Sequence, residues 1–356
     1  MNAARAKQTT CEWIAANVEH WPGLRAAHLV GGITTMPDDA PFPSHKDVDV
    51  HLIFDEGSPA LQQNGLFPNL IEASYGSLAI EAGIKSVADY RSAESVLSNA
   101  EIAHHLTVDS LLYDPSGLLG NLQAAVRRDY RRRRWVLARI EFDWKELARA
   151  FDLRPFAAQF GPMGEASLLG YSTMRPGAAL NTATLSAPSG GGRRLLTTRR
   201  ILAAHDRLDL YHELVALLGL QRVGRPRVEQ LLLEGIEAFD LAIEIKTSPH
   251  MFQHKLQRHL RPYFVETCRG MLDEGYHAES LFWILPYHLH ATDVILADGP
   301  ATEQPKFAER RATLLQELGF DAADARAAKF ERATRLYDQI FTLAREMVAR
   351  HPDIVD

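Results

Sequence analysis

Apolar residues at positions 13, 14 and 18 (Trp13, Ile14, Val18) follow helical spacing. They predict a helix over 10–20 that starts near Thr9 or Thr10 and stops at Pro22-Gly23. The short apolar run His28-Leu29-Val30 then ends in Gly31-Gly32, and the clearest strand of the chain follows at 47–54. Its alternation puts Val48, Val50, Leu52 and Phe54 on one face and Asp47, Asp49 and His51 on the other. Residues 77–83 and 110–113 predict two more short strands, 94–106 a helix, and Asp114-Pro115-Ser116-Gly117 a turn with Pro second and Gly fourth. Leu118 to Trp135 reads as one amphipathic helix.

From about residue 136 the period of 3.6 takes over, with helices predicted at 198–219, 227–246, 250–273, 277–296, 305–317 and 321–350. Gly224-Arg225-Pro226, Thr247-Ser248-Pro249 and Gly299-Pro300 punctuate them, and the run 186–192 (SAPSGGG) predicts a mobile loop. The pattern is that of an α+β chain: a small mixed β-sheet with flanking helices in residues 1–135, then an all-α helical bundle in 136–356. At roughly 150 residues per domain, 356 residues also suit two domains.

Composition narrows the function classes. Hydrophobic residues make up 46% and charged residues 24%, an ordinary globular balance. A formal net charge of -6 excludes a whole-molecule basic field for nucleic acid, so nucleic acid is not the favoured partner. No apolar run reaches the roughly 18 residues a bilayer span needs, and the first ten residues lack a signal peptide's apolar core. Cys11 and Cys268 are far apart and give neither a disulfide framework nor a CxxC metal site. These features predict a soluble cytoplasmic protein with two free thiols.

Asp47 and Asp49 hold the most informative chemistry. At i and i+2 on a strand they share a face, about 7 Å apart at their Cα atoms, and such carboxylates repel unless a cation lies between them. A pair of divalent ions about 3.5–4 Å apart matches their reach. Adjacent glycines after a strand let backbone N–H groups approach an anion, which suits a triphosphate. A third acid must come from a neighbouring strand: Glu81, between Ile80 and Ala82, or with a register slip Glu72 or Asp89.

An apolar-Gly-Gly turn, a loop, Asp-x-Asp in an apolar strand and a later strand-borne acid resemble the DNA polymerase β-like nucleotidyltransferase superfamily. More narrowly, they resemble the antibiotic nucleotidyltransferases of the kanamycin and lincosamide type. Leu111 to Leu119 (LLYDPSGLL) is similar to the segment after the third acidic strand there, and the helical C-terminal half is similar too. The resemblance implies transfer of a nucleoside monophosphate from ATP or another NTP to a hydroxyl, with two Mg²⁺ ions and release of pyrophosphate. It implies Asp47, Asp49 and Glu81 as metal ligands and Gly31 and Gly32 at the phosphates. Thr34 or Thr35 stands in for a serine that many members carry where Gly32 is. A helix-borne glutamate, matched here by Glu165, is implied as general base. The loop from Gly32 to Asp47 is longer than in the kanamycin enzyme.

Three readings remain open at this level: a small hydroxylated acceptor such as an antibiotic, a macromolecular acceptor, and a catalytically silent nucleotide binder. The run Arg127-Arg128-Asp129-Tyr130-Arg131-Arg132-Arg133-Arg134 is either a solvated face or a grip on RNA or a polyphosphate tail. His288 and His290, at i and i+2 on a helix, do not share a face and make a poor metal pair. Arg199, Arg200 and Lys246 are either contacts to a nucleotide from the second domain or, the preferred reading, ordinary surface charges. Neither the base of the donor nor the oligomeric state is legible.

Overall fold

The computed structural model describes residues 1–43, 46–62 and 69–356. The chain divides into two compact units, Met1–Phe142 with Leu185–Ser189 and Val348–Asp356, and Asp143–Thr184 with Gly190–Met347. Among the described residues no helix is long and apolar enough to cross a membrane.

The first unit is built on a five-stranded mixed sheet of β1 (Leu24–Leu29), β2 (Val48–Phe54), β3 (Leu70–Tyr75), β4 (Leu78–Ser86) and β5 (Leu111–Tyr113). Their order is β3-β4-β2-β1-β5, with β2 and β4 parallel and the other neighbouring pairs antiparallel. Helix α1 (Ala3–Asn17) is capped by the Asn2 side chain, which accepts from Arg5 N. It covers one sheet face, where Trp13 and Ile14 pack with Val48, Val50, Leu52 and Phe54. Helices α2 (Ala93–Ser98) and α3 (Leu118–Asp129) cover part of the other face, packing Val96, Leu97, Leu119 and Val126 on Ala26 and Ile53. Both faces are thus covered near Ile53, which is why the alternation predicted for β2 gives way to three consecutive buried residues at 52–54.

Several predicted elements shift. β3 is a strand that the hydrophobic pattern did not announce, joined to β4 by the two-residue turn Gly76-Ser77 with Gly76 at φ +62. The helix expected over 118–135 is two, because the chain breaks after Asp129 and restarts as α4 (Arg133–Asp152). Arg139, fully buried, fixes that break by donating to Tyr130 O at 2.9 Å and to Leu97 O at 3.0 Å, with its guanidinium 4.1 Å above the Tyr130 ring. The segment Val348–Asp356 returns to this unit, where Val355 bridges Arg132 and exchanges hydrogen bonds with Arg131 and Arg133.

The second unit is all-helical: α5 (Arg154–Ala157), α6 (Gly161–Ala183), α7 (Arg194–Ala204), α8 (Leu208–Leu218), α9 (Arg225–Ile245), α10 (Arg261–Asp273), α11 (His277–Asp298), α12 (Gln304–Glu317) and most of α13 (Ala323–Arg350). Helix α11 runs against α9, α10 and α12, around stacked rings of Phe264 and Tyr287 whose centroids are 4.3 Å apart. The helix predicted over 198–219 is interrupted at Asp206, a non-glycine residue at φ +55. The predicted mobile loop ends in packing instead: a Cβ at Gly192 would lie 2.8 Å from Thr267 Cγ2, so that glycine lets the backbone lie close to its neighbours.

Candidate functional site

β1 ends in a short 3-10 turn, Gly31–Thr35, that meets the acidic strand directly. Val30 N donates to Asp49 O at 2.9 Å, tying the turn to β2. Gly31 adopts φ +68, and an added Cβ would lie 2.2 Å from Asp49 Oδ2. The first glycine is therefore required twice, by its left-handed backbone and by the carboxylate lying against it. Gly32 has no positive φ, and among the described residues nothing lies within 4 Å of where its Cβ would be.

The two threonines differ. Thr34 is buried and its hydroxyl donates to Gly31 O at 2.8 Å, so its one proton locks the turn. A phosphate oxygen accepts only, so Thr34 as placed offers it no donor. Thr35 is exposed, with a longer bond of 3.3 Å to Gly32 O. Residues 44 and 45 of the loop before Asp47 lie outside the described residues.

Register brings the acids together. Asp49 on β2 is the Cα partner of Glu81 on β4, which in turn partners Glu72 on β3. Partners in a ladder point to the same face, so Asp49, Glu81 and Glu72 form a row across three strands about 4.8 Å apart. Asp47 precedes β2 by one residue and continues the alternation of Asp49. Asp89 sits instead on the 3-10 turn Val87–Tyr90 beyond β4. As they stand, the described residues include no group of three His, Cys, Asp or Glu gathered tightly enough to hold a metal ion. Neighbouring carboxylates repel one another, and a cation between them relieves that repulsion. The donors are all carboxylate oxygens, the hard set that suits Mg²⁺.

Below this row lies a buried network with no assigned place in the sequence reading beyond the face of His51. His28 Nδ1 is 3.0 Å from Leu29 O, so it carries the proton and donates. Its Nε2 then accepts from Tyr90 Oη at 2.9 Å, and Tyr90 Oη accepts from His51 Nδ1 at 3.1 Å. Burial pushes His28 down to about 4 and His105 down to about 3, and holds His51 well below the usual histidine range, with His28 adding to it. Burial raises Tyr90 well above the usual phenol range. These rings are neutral at pH 7. Their signal in the sequence was weak: histidines at inward strand positions say nothing about a tyrosine 39 residues away.

Glu165 is helix-borne, in the second unit. On α6, nearly fully buried, it accepts from Arg154 Nε at 3.1 Å and from Arg326 Nε at 2.5 Å. Both oxygens are engaged by guanidinium groups, so Glu165 is an ion-paired anchor of the helical unit. His288 is fully buried 3.8 Å from Glu234 Oε2, and His290 stacks on Phe252 with centroids 4.6 Å apart. Arg199 pairs with Glu279 at 3.2 Å, and Lys246 donates to Gln253 O and Leu256 O. Cys268 is buried, which raises its thiol pKa, and Cys11 is half-buried.

No family model matches the chain, and no curated protein matches it. Among solved structures it is similar to a nucleotidyltransferase-like protein from Exiguobacterium sibiricum 255-15, at 13% identity over 86% of this chain and 80% of that one, with a TM-score of 0.30.

Proposed function

We propose that the chain is a nucleotidyltransferase that moves a nucleoside monophosphate, with ATP as donor, onto a hydroxyl of a small molecule such as an antibiotic. One observation carries the reading: the Gly31 backbone is shaped around the Asp49 carboxylate, and Asp49 is in register with Glu81. A phosphate-cradling turn and an acidic row are thereby one structure.

In this reading Asp47, Asp49 and Glu81 would hold Mg²⁺, and Gly31 and Gly32 present backbone to the β- and γ-phosphates, with the exposed Thr35 hydroxyl beside them. When bound, the metal lowers the pKa of the attacking hydroxyl and neutralises the leaving pyrophosphate. The acceptor hydroxyl gives its proton up to solvent, its oxygen forms a bond to the α-phosphorus as the bond from that phosphorus to the bridging oxygen breaks, and pyrophosphate leaves. The acid row orients donor and acceptor, while the neutral His51 and Tyr90 beneath add no cation to compete with the metal. Glu165 is given no part in the reaction.

A small acceptor is preferred over a nucleic acid because Asp109, Asp129 and Asp356 already pair with Arg127, Arg128, Arg132 and Arg133. Incubation with each NTP, Mg²⁺ and a panel of hydroxylated antibiotics, read by product mass, tests the proposal. The expected result is one nucleotide-shifted acceptor plus pyrophosphate, with Asp49→Asn lowering turnover at least about 100-fold, roughly two tenfold steps of 1.4 kcal/mol. Undiminished turnover in Asp49→Asn sinks the metal assignment, and NTP binding without pyrophosphate release sinks the enzymatic one.

A further inference from the structure

At the start of α4 lies an open surface cleft of about 390 Å³ lined by Arg132, Arg133, Arg134, Leu137 and Asp356. That volume falls within the range of small-ligand sites, roughly 300–1,000 Å³. Three arginines line one space, and two aspartates, Asp129 and Asp356, stand against them. Asp129 pairs with Arg132 at 2.8 Å and also with Arg128, and Asp356 pairs with Arg133 at 2.6 Å. Arg134 makes no ion pair among the described residues and lies 4.7 Å over the Trp135 ring.

The first turn of α4 holds no acid. Arg133 and Arg134 therefore stand at the positive end of a helix, where cations are unfavourable and an anion relieves both charges. The cleft already accepts one oxyanion from within the chain: the Val355–Arg132 bridge lays the segment there, and the Asp356 carboxylate reaches Arg133.

We propose that this cleft is an anion site, separate from the acid row, that takes a small polyphosphate such as pyrophosphate between Arg132, Arg133 and Arg134, in place of the Asp356 carboxylate. Arginine forks fit phosphate oxygens in pairs, and a polyphosphate offers several such oxygens at once. An extended RNA backbone fits less well. Arg127 and Arg128, which would continue the track, pair with Asp109 and Asp129 and do not line the cleft.

The test titrates the full chain with pyrophosphate in metal-free buffer containing EDTA, at constant ionic strength, by calorimetry. Saturable one-to-one binding is expected, also in Asp49→Asn, because the acid row takes no part. Arg134→Gln is expected to weaken it about tenfold, and Asp356→Asn to tighten it about threefold or more by removing the internal competitor. Near-UV circular dichroism checks that each variant is folded. Absent saturation, or affinity unmoved by both substitutions, overturns the proposal. So does tighter binding of a charge-matched RNA oligonucleotide that is lost in Arg134→Gln, which would make the site one for nucleic acid.

Discussion

Gly31 and Gly32 are adjacent but under opposite constraints. Gly31→Ala places a methyl group against Asp49 Oδ2 at a positive φ, so the carboxylate or the turn must move. A loss of about 1–3 kcal/mol is expected by urea unfolding, together with lost transfer activity. Gly32→Ser meets no neighbour among the described residues and is expected to leave the melting temperature within about 2 °C. A Gly32→Ser variant that destabilises as much as Gly31→Ala would show that the open space is not there. Arg139 is a second residue whose surroundings decide its value. With no carboxylate beside it, burial lowers its pKa from the usual guanidinium value, and two helix-end carbonyls and the Tyr130 ring hold it instead. Arg139→Lys cannot span both carbonyls with one ammonium, and is expected to cost about 1–3 kcal/mol in the same measurement.

Among the elements, β2 was the most legible, since Val48, Val50, Leu52 and Phe54 are buried on one core face as their alternation requires. β3 was not. Its apolar positions Leu70, Ile71, Ala73 and Tyr75 are only partly buried at the sheet edge, where a strand has one partner and little packing to impose a pattern. The break between α3 and α4 was equally hidden, because Arg139, which caps it, lies 9 residues beyond Tyr130 and looks like any charged position. Tyr90 joins three elements, the turn it belongs to and strands β1 and β2, through His28 and His51. Tyr90→Phe leaves the His28 Nε2 acceptor without its donor in a buried place, and a loss of about 1–3 kcal/mol is expected. An unchanged unfolding midpoint in Tyr90→Phe would refute the bridging role.

For the whole molecule, the buried histidines set a dependence on pH. His28 and His290 are pushed down to about 4 and His105 to about 3, chiefly by burial, against 6.5 in the unfolded chain. Between these values the unfolded state binds more protons than the folded one, so stability is full above pH 6.5 and falls as pH drops toward 4. Urea midpoints at pH 7.5, 6 and 5 are expected to decline in that order, and a flat series would contradict the neutral network. The sequence by itself determined the α+β class, the predominance of helix after residue 136, and the pairing of Asp47 with Asp49, because periodicity and alternation are local properties of the chain. Only the tertiary structure decided that Glu81 and Glu72 share a row with Asp49, that Glu165 is tied up between Arg154 and Arg326, and that the last segment returns to the arginines at α4. Strand register, ion-pair partners and chain return join residues tens to hundreds of positions apart, and no local pattern encodes which distant side chain will arrive.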